Sequence, residues 1–268
     1  MDPREQQACL IAQQVLGATA TPWDTDGRQA VVDAMLMLPD GRTAAFEVTE
    51  VAAEGAHHLD AQVKKAESIW VTLGDWAWDI AIGSPTEYDR VDKVYARVIQ
   101  LCEAQGISDP RQLPEVTLLA DPEIMWLVEE SSVSMFGLPE VPAVRADGTR
   151  RRIWVSTNGW GGAVLDSLDG LNTALAEVFQ TRNLVKHLAK VASPDAAQDG
   201  ASERHLFLVL HPSALPYTLF DALITGQPLP TEPLTLPEGV THLWLWSQFS
   251  PRVLLAGPDG WHDHVLDH

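Results

Sequence analysis

The stretch VVDAMLMLPDGRTAAFEVTE, residues 31–50, decides the fold. Two short apolar runs flank Pro39-Asp40-Gly41-Arg42, and Asp-Gly supplies the positive φ of a tight hairpin, which predicts strands near 30–38 and 43–51. Each run carries one carboxylate, Asp33 in the first and Glu47 in the second. Acidic side chains are depleted in strands and costly to bury unpaired, so two of them need a reason. Across a hairpin turning at 39–42 both fall toward the open end, where converging carboxylates offer hard oxygen ligands to Mg²⁺. The alternative is structural: Asp33 as a strand-edge residue paired to an arginine, and Glu47 facing solvent from an antiparallel sheet.

Working outward, residues 3–16 form an amphipathic helix, with Pro3 in its first turn and Gly17 at its end. A helix over Ala56–Ile69, a buried strand at 76–82 and a helix over 86–105 follow. Arg90, Lys93 and Arg97 on that helix are mixed with acids and read as a solvated, salt-bridged face. Residues 107–140 are rich in proline and acid and read as irregular. A second hairpin, VPAVRADGTRRRIWVS, gathers Arg145, Arg150, Arg151 and Arg152 around another Asp-Gly turn. A glycine-rich turn then enters one long helix whose tail aligns Arg182, Lys186 and Lys190 at i, i+4, i+8. After a polar loop at 193–203 come a strand (HLFLVLH), a short helix near 214–225, a proline-rich connection, and strands at THLWLWS and RVLLA. The expectation is a single α/β domain over 1–268 with a mixed sheet, its core drawn from 3–105 and 150–256 and an irregular excursion over 107–150.

Composition narrows the function. The chain has 268 residues, 46% of them hydrophobic, enough for a core without staples. Against 18 Lys and Arg stand 37 Asp and Glu, a formal net charge of -19, which repels polyanions at long range. Any contact with nucleic acid must therefore use local basic patches or bound cations. Cys9 and Cys102 form no ligand spacing and read as reduced thiols. No apolar run reaches the length of a membrane span, and MDPREQQACL lacks the pattern of a signal peptide, so the expected location is cytoplasmic.

A helix, then a hairpin carrying Asp33 on one strand and a Glu47-Val48-Thr49 triplet on the next, then further strands and helices, resembles the PD-(D/E)xK, restriction-endonuclease-like superfamily. The resemblance, carried mainly by residues 3–82, implies an αβββαβ core with a mixed sheet, here elaborated by an inserted hairpin and extra C-terminal elements. It implies Mg²⁺ or Mn²⁺ held by Asp33 and Glu47, and hydrolysis of phosphodiester bonds in nucleic acid. Glu5 on the first helix matches a position where some members place another acid. The third motif position departs: Thr49 stands where the family has a lysine that orients and activates the attacking water, and threonine supplies no such charge. Some members recruit that group from the following helix, which here offers Gln62, Lys64 and Lys65. The Arg145, Arg150, Arg151 and Arg152 hairpin and the Arg182, Lys186 and Lys190 stripe would then position phosphates. A fold of this kind without its catalytic lysine would instead be a protein-binding module or an acidic inhibitor or partner subunit. The texture of ERHLFL and GVTHLWLW also resembles a kind of actinomycete protein with no assigned activity.

Weaker signals remain. His57-His58 reads as helix decoration, and His262 and His264 in the tail as adventitious zinc capture. NGWGG at 158–162 lacks the lysine and spacing of a phosphate-binding loop and reads as a turn. Trp23, Trp160 and Trp261, in polar or glycine-rich surroundings, are candidates for a groove or partner contact.

Overall fold

The structure, a computed structural model, describes residues 1–24, 31–66, 70, 73–157, 167–193 and 200–266. NGWGG with Trp160 lies outside them. The chain is mixed α/β and divides into two compact units, Met1–Ala52 with Ala163–His268, and Ala53–Gly162 between them in sequence. This departs from the single core expected over 3–105 and 150–256: the strand at 76–82 and the helix at 86–105 belong to the second unit, around their own apolar cluster.

The first unit opens with α1 (Pro3–Leu16), whose N-cap Asp2 accepts from the Arg4 and Glu5 backbone while the Glu5 side chain answers the Asp2 N–H. Such a capping box satisfies amides that the first turn leaves orphaned, and a cap is worth about 1 kcal/mol. Strands β1 (Thr19–Pro22), β2 (Ala34–Met37) and β3 (Thr43–Val51) form an antiparallel meander. The expected turn joins β2 to β3, with Gly41 at φ 85° and the Leu38 amide donating to the Arg42 carbonyl. Its registers pair Ala34 with Phe46 and Met37 with Thr43.

After the second unit the chain returns through α6 (Leu171–Val178) and α7 (Arg182–Ala192) to β7 (Glu203–Leu210), which lies parallel to β3. Helix α8 (Tyr217–Ile224) leads to β8 (His242–Trp246), parallel to β7; β9 (Arg252–Gly257) and β10 (Gly260–Val265) close the far edge as a hairpin. The seven-stranded order is β1-β2-β3-β7-β8-β9-β10, a parallel centre with antiparallel flanks. Parallel strands are covered on both faces, and alternation along β3 and β7 divides the core accordingly. Phe46, Val48, Phe207, Val209 and Trp244 pack with Ala8, Ile11 and Ala12 of α1. Val51, Leu206, Leu208 and Leu210 pack with α6, α7 and α8 on the other face. The single long helix expected after the glycine-rich turn is two, because α6 stops at Phe179 and α7 restarts after Thr181.

The second unit contains α2 (Ala56–Ala66), β4 (Trp76–Ala81), α3 (Pro85–Gln105), α4 (Glu115–Ala120), α5 (Pro122–Glu129), β5 (Ser134–Pro142) and β6 (Trp154–Ser156). Two expectations fail here. The segment 107–140 is not irregular but holds two helices, a 3-10 turn at Pro110–Gln112 and a nine-residue strand. Pro110 and Pro122 sit at helix starts, after Asp109 and Asp121, where a missing amide costs nothing. Nor do the arms of the second hairpin pair as strands, because β4 lies between β5 and β6; the Asp147-Gly148 turn is closed by the Val144 to Arg150 bridge and by the Arg145 and Arg151 amides, which donate to the Thr149 and Ala143 carbonyls. Arg90 and Arg97 are paired with Glu123 and Asp121, as a salt-bridged face requires.

Candidate functional site

Asp33 and Glu47 meet in the first unit. Asp33 immediately precedes β2, and its Oδ2 accepts the Val48 amide of β3 at 2.7 Å, with the side chain 9% exposed. Glu47 sits mid-strand between β2 and β7 and is 0% exposed. It shares a face with Thr49 and Val51, the face covered by α7. From α7, His187 Nδ1 lies 2.6 Å and Lys190 Nζ 3.0 Å from Glu47 Oε1. The buried Leu184 and Val191 anchor that helix and turn its i, i+3 pair onto the sheet. Glu47 Oε2 is buried and has no hydrogen-bond partner among the described residues.

The electrostatics follow from burial. Removal from water, and then the charge of Glu47, push Asp33 from 3.8 up to about 7, against the Val48 amide and the Lys190 charge. For Lys190, burial works downward, but the hydrogen bond to Glu47 and the charges of Glu47, Asp33 and Asp24 prevail, so its pKa is raised. The ammonium is therefore a permanent positive charge at neutral pH. The donor set fits a hard divalent cation: two carboxylates from adjacent strands, one with an unused buried oxygen, beside a fixed counter-charge.

The other predicted residues have the following places. Thr49 is buried two residues beyond Glu47, its hydroxyl 3.4 Å from the Glu50 carbonyl. Glu5 is engaged in the α1 cap, and its charge still contributes to raising Asp33. Gln62, Lys64 and Lys65 lie on α2 in the second unit, with Gln62 bonded to Asp89 at 3.3 Å. Arg182 and Lys186 are exposed on α7, and Lys190 turns inward to Glu47. In the second unit Arg145, Arg150 and Arg152 line a cleft of about 700 Å³ with Asp147, Thr149 and Ile153; Arg150 donates to the Gly74 carbonyl and Arg151 to that of Pro142. Trp23 and Trp261 are half-buried against apolar clusters.

Two residues escaped the sequence reading in their actual role. The sequence marks Lys190 only as one member of a basic stripe and does not mark His187, because 140 residues separate His187 from Glu47. The available signal was their i, i+3 spacing at the border of the apolar stripe of α7.

A second cluster, Glu203, His205 and His242, lies on the α1 face at a pocket of about 410 Å³. Its hydrogen bonds have a fixed polarity. The Trp244 indole N–H can only donate, and it donates to His205 Nδ1 at 3.0 Å, so the ring proton sits on Nε2 and points to Glu203 at 2.9 Å. Arg42 also bonds Glu203. Burial lowers His205, and burial with the adjacent His205 ring takes the stacked His242 down to about 4. The cluster thus forms an indole, imidazole and carboxylate chain. No protein-family model, no curated protein and no solved structure matches this chain.

Proposed function

We propose that the protein is a Mg²⁺- or Mn²⁺-dependent phosphodiesterase acting on nucleic acid, of the PD-(D/E)xK kind, with Asp33 and Glu47 as the cation ligands. The observation that carries this reading is the buried Asp33 and Glu47 pair, with Glu47 Oε2 unpartnered among the described residues and Oε1 held by a lysine. The order of elements supports it: a helix, an antiparallel meander with one acid before its second strand and one within its third, then a helical crossover to a parallel strand. The charge missing at Thr49 has a counterpart in Lys190, on the crossover helix of the same unit, in place of the Lys64 or Lys65 expected from sequence.

A bound divalent cation would supply charge at the scissile phosphate and acidify the attacking water. The chain's own groups do the rest. Lys190, held protonated, acts through its charge: it orients and stabilises rather than accepting a proton. Arg182 and Lys186 extend the same helix surface away from the site, where exposed cations contact backbone phosphates without reading sequence.

Calorimetric titration of Mg²⁺ and Mn²⁺ into the wild type and the Asp33→Ala/Glu47→Ala variant, with plasmid and single-strand cleavage on the same samples, tests the reading. Binding and cleavage that both vanish in the variant support it. Neither binding nor cleavage in the wild type refutes it and directs attention to protein partners.

A further inference from the structure

We infer that His187 is a positioning residue for the cation site, fixing the plane of the Glu47 carboxylate so that Oε2 is the oxygen presented to the metal. The inference rests on the metal-site reading above and extends it to a residue that no motif marks. A carboxylate oxygen only accepts, so the 2.6 Å contact makes His187 Nδ1 a donor to Oε1. The same oxygen takes the Lys190 ammonium at 3.0 Å, while Oε2, also buried, takes no hydrogen bond from the described residues. Such asymmetry is costly in a core unless the unused oxygen has a ligand to meet.

Lys190 alone cannot impose it. An ammonium is a rotatable point charge that sits as well between two oxygens as on one, so the carboxylate would be free to swing about its last bond. A planar imidazole on the neighbouring turn of the same helix removes that freedom, because its N–H is aimed at one oxygen only. The helix is held by Leu184 and Val191, so the two donors move as one body. This is the relation that outer groups have to a ligand carboxylate in metal sites generally, where their loss costs 10- to 100-fold in affinity.

The test is Mn²⁺ affinity, measured by calorimetry and by the paramagnetic resonance signal of free Mn²⁺, on the wild type and His187→Ala, His187→Asn and Asp33→Ala/Glu47→Ala variants. Asparagine places an amide N–H where the imidazole Nδ1–H stood. The expected result is a Kd raised about tenfold or more in His187→Ala and restored to within about threefold by His187→Asn. Wild-type affinity in His187→Ala, or an asparagine variant as weak as the alanine one, overturns the inference while leaving the cation site standing. Equal affinity in the wild type and the double-alanine variant overturns the cation site itself, and this role with it.

Discussion

Replacing Asp33 with asparagine isolates the proton that the site holds. Burial and the Glu47 charge raise Asp33 from 3.8 to about 7, so the folded protein keeps a proton there that the unfolded chain releases near pH 4. Below both values the two states are equally protonated and the group contributes no pH dependence. Between them the folded state carries the extra proton, so stability falls as pH rises; above about 7 the full penalty of a buried charge is present. At about 1.4 kcal/mol per pH unit, the penalty is roughly 1.5 kcal/mol at pH 5 and about 4 kcal/mol at pH 8. Asparagine cannot ionise, and its carbonyl oxygen can still accept the Val48 amide. In EDTA, Asp33→Asn should therefore be more stable than the wild type by a margin that widens by about 2.5 kcal/mol from pH 5 to pH 8. Urea unfolding followed by circular dichroism at both pH values measures it, since the contribution of the second unit cancels in the difference. Mn²⁺ favours the ionised form, so at pH 8 it should stabilise the wild type, by about 2.7 kcal/mol at a hundred times Kd, and leave the variant unmoved. A margin that is constant or narrower at pH 8 refutes this reading of the site.

Lys190→Met should destabilise the protein by about 3–5 kcal/mol, because it leaves Glu47 buried without its counter-charge, and Glu47→Gln/Lys190→Met should recover much of that loss. A double variant as unstable as the single one in urea unfolding would contradict the pairing. Gly239→Ala should cost about 2–4 kcal/mol, since its φ of +81° is strained for a side chain and the new Cβ would stand 2.6 Å from the Cβ of Ala192 at the end of α7. An unchanged melting temperature would show that this approach is not tight.

The hairpin at 31–50 was legible because turn chemistry and alternation are local, and α1 because its cap, proline and terminal glycine all lie within sixteen residues. The acids were legible as misfits in strands. What closes on them was not, because the contact between Glu47 and α7 depends on a parallel pairing of β3 with β7 that no local pattern encodes. The same limit explains the hairpin at 141–156: its Asp-Gly turn is real, but whether two arms pair or admit β4 between them is settled by packing. The helices within 107–140 are hidden for a different reason: proline breaks a helix interior but opens a helix at its first turn, as Pro110 and Pro122 do here.

The crossover from β3 to β7 has a consequence for how the chain is made. The Arg42 to Glu203 pair at the mouth of that ladder spans 161 residues, so the closure of the central sheet is among the most non-local events in the molecule. Topologies of this kind close slowly, since the entropy of a long loop is lost before any contact rewards it. During synthesis the meander emerges first, with the inner edge of β3 unpaired until β7 follows. A unit at 53–162 that condenses early would shorten the effective loop. The proton on Asp33 and the charge on Glu47 thus belong to the latest stage of folding, when α7 brings in Lys190.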